Sequence, residues 1–182
     1  MLGMKEHSSF RLIPSDVIGK SLSYLRNTIT LNIGEEDGVK ANMPIISEAG
    51  LVGKVVITSG RYSIGQVVRN KDFRVTAIVE RSRVYGIIVW EGGDGVKLTN
   101  VPKKQDVSVG DVVLTSDYSI IFPRDVQIGT VVDVLENQGS LFKDITISPS
   151  VDFSTLEQVF VVETAPDSER ILLEQKYGVQ SW

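Results

Sequence analysis

Arg74-Val75-Thr76-Ala77-Ile78-Val79-Glu80 sends successive side chains to opposite sides of the backbone, the two-residue period of a strand. Just downstream, Trp90-Glu91-Gly92-Gly93-Asp94-Gly95-Val96 supplies the glycines that a hairpin needs for positive backbone angles. Outward from this pair, short β-branched runs separated by Gly, Asn, Asp and Pro extend from Phe10 to Val162, which predicts an all-β sandwich or barrel. Strands are expected at Arg11–Ile18, Thr28–Asn32, Pro44–Ser47, Leu51–Thr58, Gln66–Val68 and Val75–Glu80. Further strands are expected at Tyr85–Trp90, Val96–Thr99, Val112–Ser116, Ile128–Leu135, Asp144–Ser148 and Gln158–Val162. Nowhere does a strand lead into a long helix and a second strand, so a parallel, doubly wound nucleotide-binding sheet is disfavoured.

An internal echo divides the chain. Asp37-Gly-Val-Lys-Ala-Asn-Met-Pro-Ile-Ile-Ser47 leads through a short loop to Leu51-Val-Gly-Lys-Val-Val56. Asp106-Val-Ser-Val-Gly-Asp-Val-Val-Leu-Thr-Ser116 leads through a longer loop to Gln127-Ile-Gly-Thr-Val-Val132. Two related β units follow. The first is expected over residues 10–95 and the second over 96–163, joined near Gly92–Pro102, with terminal strands free to cross between them. Gly53 and Gly129 are expected at equivalent places, each allowing a close backbone approach or a bend. Residues 1–9, with two methionines and no apolar core, are read as an artificial start. Residues 164–182 are read as a short helix or a disordered tail, because Ala165-Pro166-Asp167 breaks the strand pattern before Ser168–Gly178.

Composition narrows the function classes. The 182 residues carry a formal charge of −4 with 42% hydrophobic and 23% charged residues, values of an ordinary folded domain. Net negative charge argues against a phosphate-gripping surface, and nucleic acid is not an expected partner. The one basic cluster, Arg69, Lys71, Arg74, Arg81 and Arg83, is diluted by Asp72 and Glu80 and reads as a solvated strand face. There is no cysteine, which removes disulfides and thiolate chemistry. No stretch approaches the ~20 apolar residues that cross a bilayer.

Catalytic chemistry finds little support. The single histidine, His7, lies in the suspected artificial start, so a Ser-His-Asp site has no base. Ser63, Ser116 and Ser119 could pair only with Lys54, Lys103 or Lys104, and no nucleophile elbow surrounds them. Glu35-Glu36-Asp37-Gly38 lacks the alternate spacing of a calcium loop and reads as a turn. Thr115-Ser116-Asp117 has no carboxylate partner, and Glu91-Gly92-Gly93-Asp94-Gly95 leads into a strand rather than a helix. No catalytic, cofactor or metal residue is assigned, and no cofactor or small-molecule substrate is expected.

The functional candidate is apolar. Asp117-Tyr118-Ser119-Ile120-Ile121-Phe122-Pro123 is the segment inserted in the second unit relative to the first. Tyr118, Ile120, Ile121 and Phe122 either fold back into the core or form a surface for a protein partner.

The ordered set Gly38-Val39, Met43-Pro44, Gly50-Leu51-Val52-Gly53, Val101-Pro102, Gly110-Asp111, Thr115-Ser116, Phe122-Pro123 and Ile128-Gly129-Thr130-Val131 resembles the MreC rod-shape-determining family across about residues 13 to 163. The chain departs from that pattern at Asp117, Ser119, Ile120, Asp125 and Gln127; aspartate still tolerates a left-handed turn. The resemblance implies two small β-barrel domains of related, chymotrypsin-like topology built from short antiparallel strands, without a catalytic triad. It makes Gly50, Gly53, Gly110, Asp111, Thr115, Ser116, Phe122, Pro123 and Gly129 structural motif residues. It further implies a non-catalytic scaffold facing the periplasm or outer surface, anchored to the cytoplasmic membrane by an N-terminal helix that this sequence lacks. Such a protein would organise peptidoglycan elongation by self-association into dimers or filaments and by contacts with MreD, RodA and the elongation penicillin-binding transpeptidase. The competing readings are a hydrolase using Ser-Lys or carboxylate chemistry and an export-system adaptor, the latter requiring a long helical hairpin that the sequence does not contain.

Overall fold

A computed structural model describes residues 10–22, 26–163 and 168–179. The expected artificial start with His7 lies outside the described residues, as do 164–167 and 180–182 of the tail. Twelve strands appear among the described residues, one at each expected place: β1 (Arg11–Leu22), β2 (Arg26–Leu31), β3 (Pro44–Ser47), β4 (Gly50–Thr58), β5 (Ser63–Asn70), β6 (Val75–Val79), β7 (Tyr85–Val89), β8 (Val96–Thr99), β9 (Val112–Thr115), β10 (Gln127–Glu136), β11 (Lys143–Pro149) and β12 (Gln158–Glu163). The Glu35–Asp37 turn is one turn of 3-10 helix, closed by Gly38 at φ 87°. Helix α1 (Ser168–Tyr177) ends where Val179 N–H bonds the Glu174 carbonyl and Gly178 N–H bonds the Gln175 carbonyl, with Gly178 left-handed. No helix among the described residues is long and apolar enough to cross a membrane.

The strands close into two six-stranded antiparallel barrels. The first has neighbour order β1-β12-β3-β4-β5-β2 and the second β10-β11-β8-β7-β6-β9. This moves the join. Residues 75–89, expected in the first unit, pair inside the second barrel as β6 and β7, so the chain crosses between barrels at 71–74, after β5. The return crossing comes after β11, and β12 closes the first barrel against β1 and β3. Matching β3-β4-β5 to β9-β10-β11 makes β1 and β2 correspond to β7 and β8, and β12 to β6. The first barrel thus takes from the chain's end the strand that the second receives at its beginning. A barrel closes on side-chain pairing without regard to chain order, which is why the sequence boundary and the spatial one differ.

Register confirms the equivalence of Gly53 and Gly129. Gly53 pairs with Ile45 and Val67; Gly129 pairs with Val113 and Pro149. A Cβ at either would collide with a carbonyl oxygen on the next strand, Gln66 in one barrel and Ser148 in the other. Bulges recur at matched places, between Val55 and Ile57 and between Val131 and Asp133. The same register corrects the echo by one residue: Ser47 stands where the second barrel has Thr115, not Ser116.

Two apolar clusters fill the molecule. One is internal to the first barrel, around Leu31, Val39, Ile45 and Val55. The other fills the second barrel and continues into the junction through Ile46, Leu51, Val68 and Val162 of the first. At that junction Gly50, at φ 142°, lies so close to the Gln127 carbonyl that no side chain fits between them.

Candidate functional site

The inserted segment leaves β9 and returns to β10, and Thr115 pins both of its ends. The Thr115 hydroxyl donates to the Pro123 carbonyl at 2.6 Å and accepts from Val126 N–H at 2.9 Å, while its own N–H reaches the Val126 carbonyl at 2.8 Å. Ser116 fixes the first corner by a hydroxyl contact of 2.9 Å to Thr76 on β6 and by accepting Tyr118 N–H at 3.2 Å. Ser119 accepts the Ile121 and Phe122 amides at 3.2 and 3.0 Å, and Asp125 takes the left-handed turn at φ 65°.

These pins divide the four candidate residues. Phe122 is 4% exposed and packs edge-on against Phe73 with ring centroids 5.7 Å apart, and Pro123 is buried beside it. Phe122 is therefore a core residue and not part of a docking surface: a ring that size gains more from burial than a loop loses by folding inward. Ile120 and Ile121 are half-buried, with Ile121 against the core, and Tyr118 is 58% exposed.

Tyr118 does not stand alone. Its ring stacks on Tyr85 of β7 at 4.4 Å and 19°, and the Tyr85 hydroxyl donates to Asp117 at 3.1 Å. Desolvation, then the Asp117 carboxylate, push the Tyr85 phenol above its ordinary pKa, so it remains a donor. From α1, the Arg170 guanidinium donates to the Tyr118 carbonyl at 2.9 Å and to Glu174 at 2.8 Å. Tyr85 and Arg170 carried no signal in the sequence, since only barrel closure and helix docking bring them to residue 118.

A second polar knot lies at the opposite end of β9, where the strand begins. Arg81, in the β6–β7 turn, donates through Nε and Nη2 to both oxygens of buried Asp111 at 2.7 and 3.0 Å, and through Nη1 and Nη2 to Asp106 at 2.7 and 3.0 Å. Arg81 holds both carboxyls below the usual range; for Asp111 the Ser108 N–H, at 2.9 Å, adds to the effect. Three of the five residues of the expected solvated basic face, Arg69, Arg74 and Arg81, thus have fixed partners. Arg69 pairs with Asp94 and lies over the Phe153 ring, and Arg74 donates to the Lys71 and Phe73 carbonyls.

The serines and lysines considered for hydrolysis have different surroundings: Ser63 Oγ is buried without a hydrogen-bond partner. Ser116 bonds Thr76, the Lys103 ammonium sits on the Asn137 carbonyl at 2.7 Å, and burial lowers the pKa of Lys54.

A family model described as "Rod shape-determining protein MreC, barrel core" matches residues 17–163. The chain belongs to the MreC family. The matched span runs through both barrels, from the middle of β1 to the end of β12, and α1 lies beyond it. The cell shape-determining protein MreC of Geobacillus stearothermophilus is 29% identical over 174 residues, 87% of this chain and 59% of that protein. The chain thus spans about three-fifths of that relative's length. MreC from Pseudomonas aeruginosa shares the fold with TM-score 0.80 at 23% identity, over 84% of this chain and 99% of that one. The fold also recurs, with TM-score 0.68 and 18% identity over 86% of this chain and 100% of the other, in a complex between Penicillin-Binding Protein (PBP2) and MreC from Helicobacter pylori.

Proposed function

We propose that the two barrels are the extracytoplasmic part of a non-catalytic scaffold that organises peptidoglycan elongation, tethered to the cytoplasmic membrane by a helix upstream of this sequence. The scaffold self-associates and contacts the elongation transpeptidase, with RodA and MreD as further partners. The observation that carries this reading is the MreC barrel-core match over residues 17–163. The Helicobacter pylori complex supports a transpeptidase as the first partner. The surface assigned to it is Tyr118 with its stacked neighbour Tyr85 and the flanking Ile120. An aromatic pair, Tyr118 exposed and Tyr85 half-buried, held rigid by Asp117 and Thr115 offers apolar area at little entropic cost, the usual character of an interface anchor.

The test is binding of the purified transpeptidase by surface plasmon resonance alongside thermal melting. Tyr118→Ala and Ile120→Asp are expected to weaken binding by about tenfold or more with an unchanged melting temperature. Phe122→Ala is expected to lower the melting temperature and leave affinity per folded molecule intact. Unchanged affinity in both of the first two variants would sink this surface.

A further inference from the structure

Closed barrels leave little strand edge exposed, and where an edge remains natural proteins cover or blunt it. In the second barrel β9 pairs with β10 only over Gln127–Thr130, while β11 accompanies β10 to Glu136. The last bonds on the β9 side are those that Val131 makes with Gly110 and Asp111. From Val132 to Glu136, β10 therefore has a strand on one side and none among the described residues on the other. The matching hairpin of the first barrel, β4–β5, is capped: Glu35 and Glu36 N–H groups bond the Ser59 and Gly60 carbonyls at 2.8 and 2.9 Å, and Thr58 donates to the Glu35 carboxylate at 2.9 Å.

The side chains of the uncovered edge suit a neighbouring strand better than water. Val134 lies opposite Ile145 and packs on the core, so Asp133 and Leu135 share the outer face. Val132 is 50% exposed and Leu135 48%, with Leu141 and Phe142 beyond the hairpin turn at 81% and 44%. The stretch has neither the lysine nor the proline that commonly guards an edge. Asp133 has no ion pair among the described residues. The nearby cations are committed elsewhere: Lys97 donates to Asp144 and Thr146 at 2.8 and 2.9 Å, and Lys143 lies 4.0 Å from Glu136.

We propose that this edge accepts one added strand from a different protein, an extended segment that sets a cation against Asp133 and an aliphatic side chain against Leu135. The free backbone groups of residues 132–136 supply the main-chain pairing, and the unpaired acid and exposed aliphatics supply the selection. Two β10 edges are a poor match for each other, because laid side by side they bring Asp133 and Glu136 against acid. The Tyr118 loop leads into the start of β10 and this edge lies at its far end, so the two surfaces can be occupied independently.

Fluorescence anisotropy of the full chain with a labelled, end-capped peptide, Lys-Val-Leu-Val-Lys, tests it. Two further probes are capped Glu-Val-Leu-Val-Glu and a copy of the basic peptide with methylated backbone nitrogens. The basic peptide is expected to bind about tenfold or more tightly than the acidic one, with the gap narrowing as salt screens the charges. Backbone methylation is expected to remove binding, because it leaves charge and apolar surface in place but takes away the donors a strand needs. Asp133→Lys, at an exposed position checked by an unchanged melting temperature, is expected to reverse the preference between the basic and acidic peptides. Equal binding of the methylated and unmethylated probes would overturn strand addition. Failure of the basic peptide to bind at millimolar protein, or a preference that Asp133→Lys leaves unchanged, would overturn the site. A dimer that Asp133→Lys dissociates while no peptide binds would overturn the foreign strand in favour of a second copy.

Discussion

The two barrels solve one backbone problem with different side chains. In the first, Val55 N–H bonds the Met43 carbonyl and Asn42 N–H bonds the Val55 carbonyl; in the second, Val131, Asp111 and Gly110 make the same pair of bonds. Asn42 and Gly110 both adopt positive φ, 71° and 96°. Beneath them the chemistry diverges. The Met43 sulfur accepts Lys40 N–H at 3.4 Å and packs into an apolar cluster, whereas the Asp111 carboxylate accepts Ser108 N–H at 2.9 Å and is held by Arg81. The second barrel also opens the short β3–β4 turn into the loop that carries Tyr118. Sites that are equivalent in backbone register thus constrain geometry strongly and side-chain polarity weakly. That leaves one barrel free to specialise.

The largest expected effect separates the loop's buried half from its exposed half. Phe122→Ala should cost roughly 3 to 5 kcal/mol in urea denaturation, as for other buried aromatics. Tyr118→Ala should cost under about 1 kcal/mol, as exposed positions usually do. A comparable cost at both would break the division of the loop.

Next come the paired glycines. Gly53→Ala and Gly129→Ala should each cost roughly 3 kcal/mol or more, because the added methyl meets a backbone carbonyl that cannot move without opening the barrel. Tolerance at one and not the other would show that the barrels are related in outline alone.

Asp111→Ala should cost about 1 to 3 kcal/mol at neutral pH by leaving Ser108 N–H without its carboxylate acceptor and Arg81 Nε without its partner, Asp106 being the one carboxylate left to the guanidinium. Its pH dependence has a definite sign. A carboxyl whose folded pKa is depressed contributes fully above its unfolded value of about 4 and loses that contribution as pH falls through the lowered folded value. Wild type should therefore lose more stability than Asp111→Ala between neutral pH and pH ~3. Met43→Ala, at the matched site, should destabilise by an amount that the same urea titrations find nearly independent of pH.

The smallest effect concerns the shared left-handed residue. A Cβ on Gly110 meets nothing within 4 Å, so Gly110→Ala should cost only about 1 kcal/mol of backbone strain, and Gly110→Asn less, as Asn42 in the first barrel implies. A larger loss would mean that Gly110 has a second role that Asn42 lacks.

Local pattern located all twelve strands because alternation and turn residues are written within a few neighbouring positions, as at Val75–Val79 and Gly92–Gly93. The echo identified the matched glycines but slipped by one residue at Ser47. Ser47 and Ser116 are alike as letters, whereas the hydrogen-bond register aligns Ser47 with Thr115. Of the candidate surface, Tyr118 and Ile120 were visible as apolar residues on a loop, but no count of hydrophobic letters distinguishes them from Phe122, whose fate depends on a cavity beside Phe73.

By itself the sequence determined the all-β class, the duplication, the scarcity of catalytic groups and the MreC resemblance, since each is carried by residue type and short-range order. Tertiary structure alone decided that β12 belongs to the first barrel and β6 to the second, that Tyr85 stacks on Tyr118, and that Arg81 grips Asp111. These contacts join residues dozens of positions apart, and closure of each barrel selects them by which strands can satisfy each other's backbone groups.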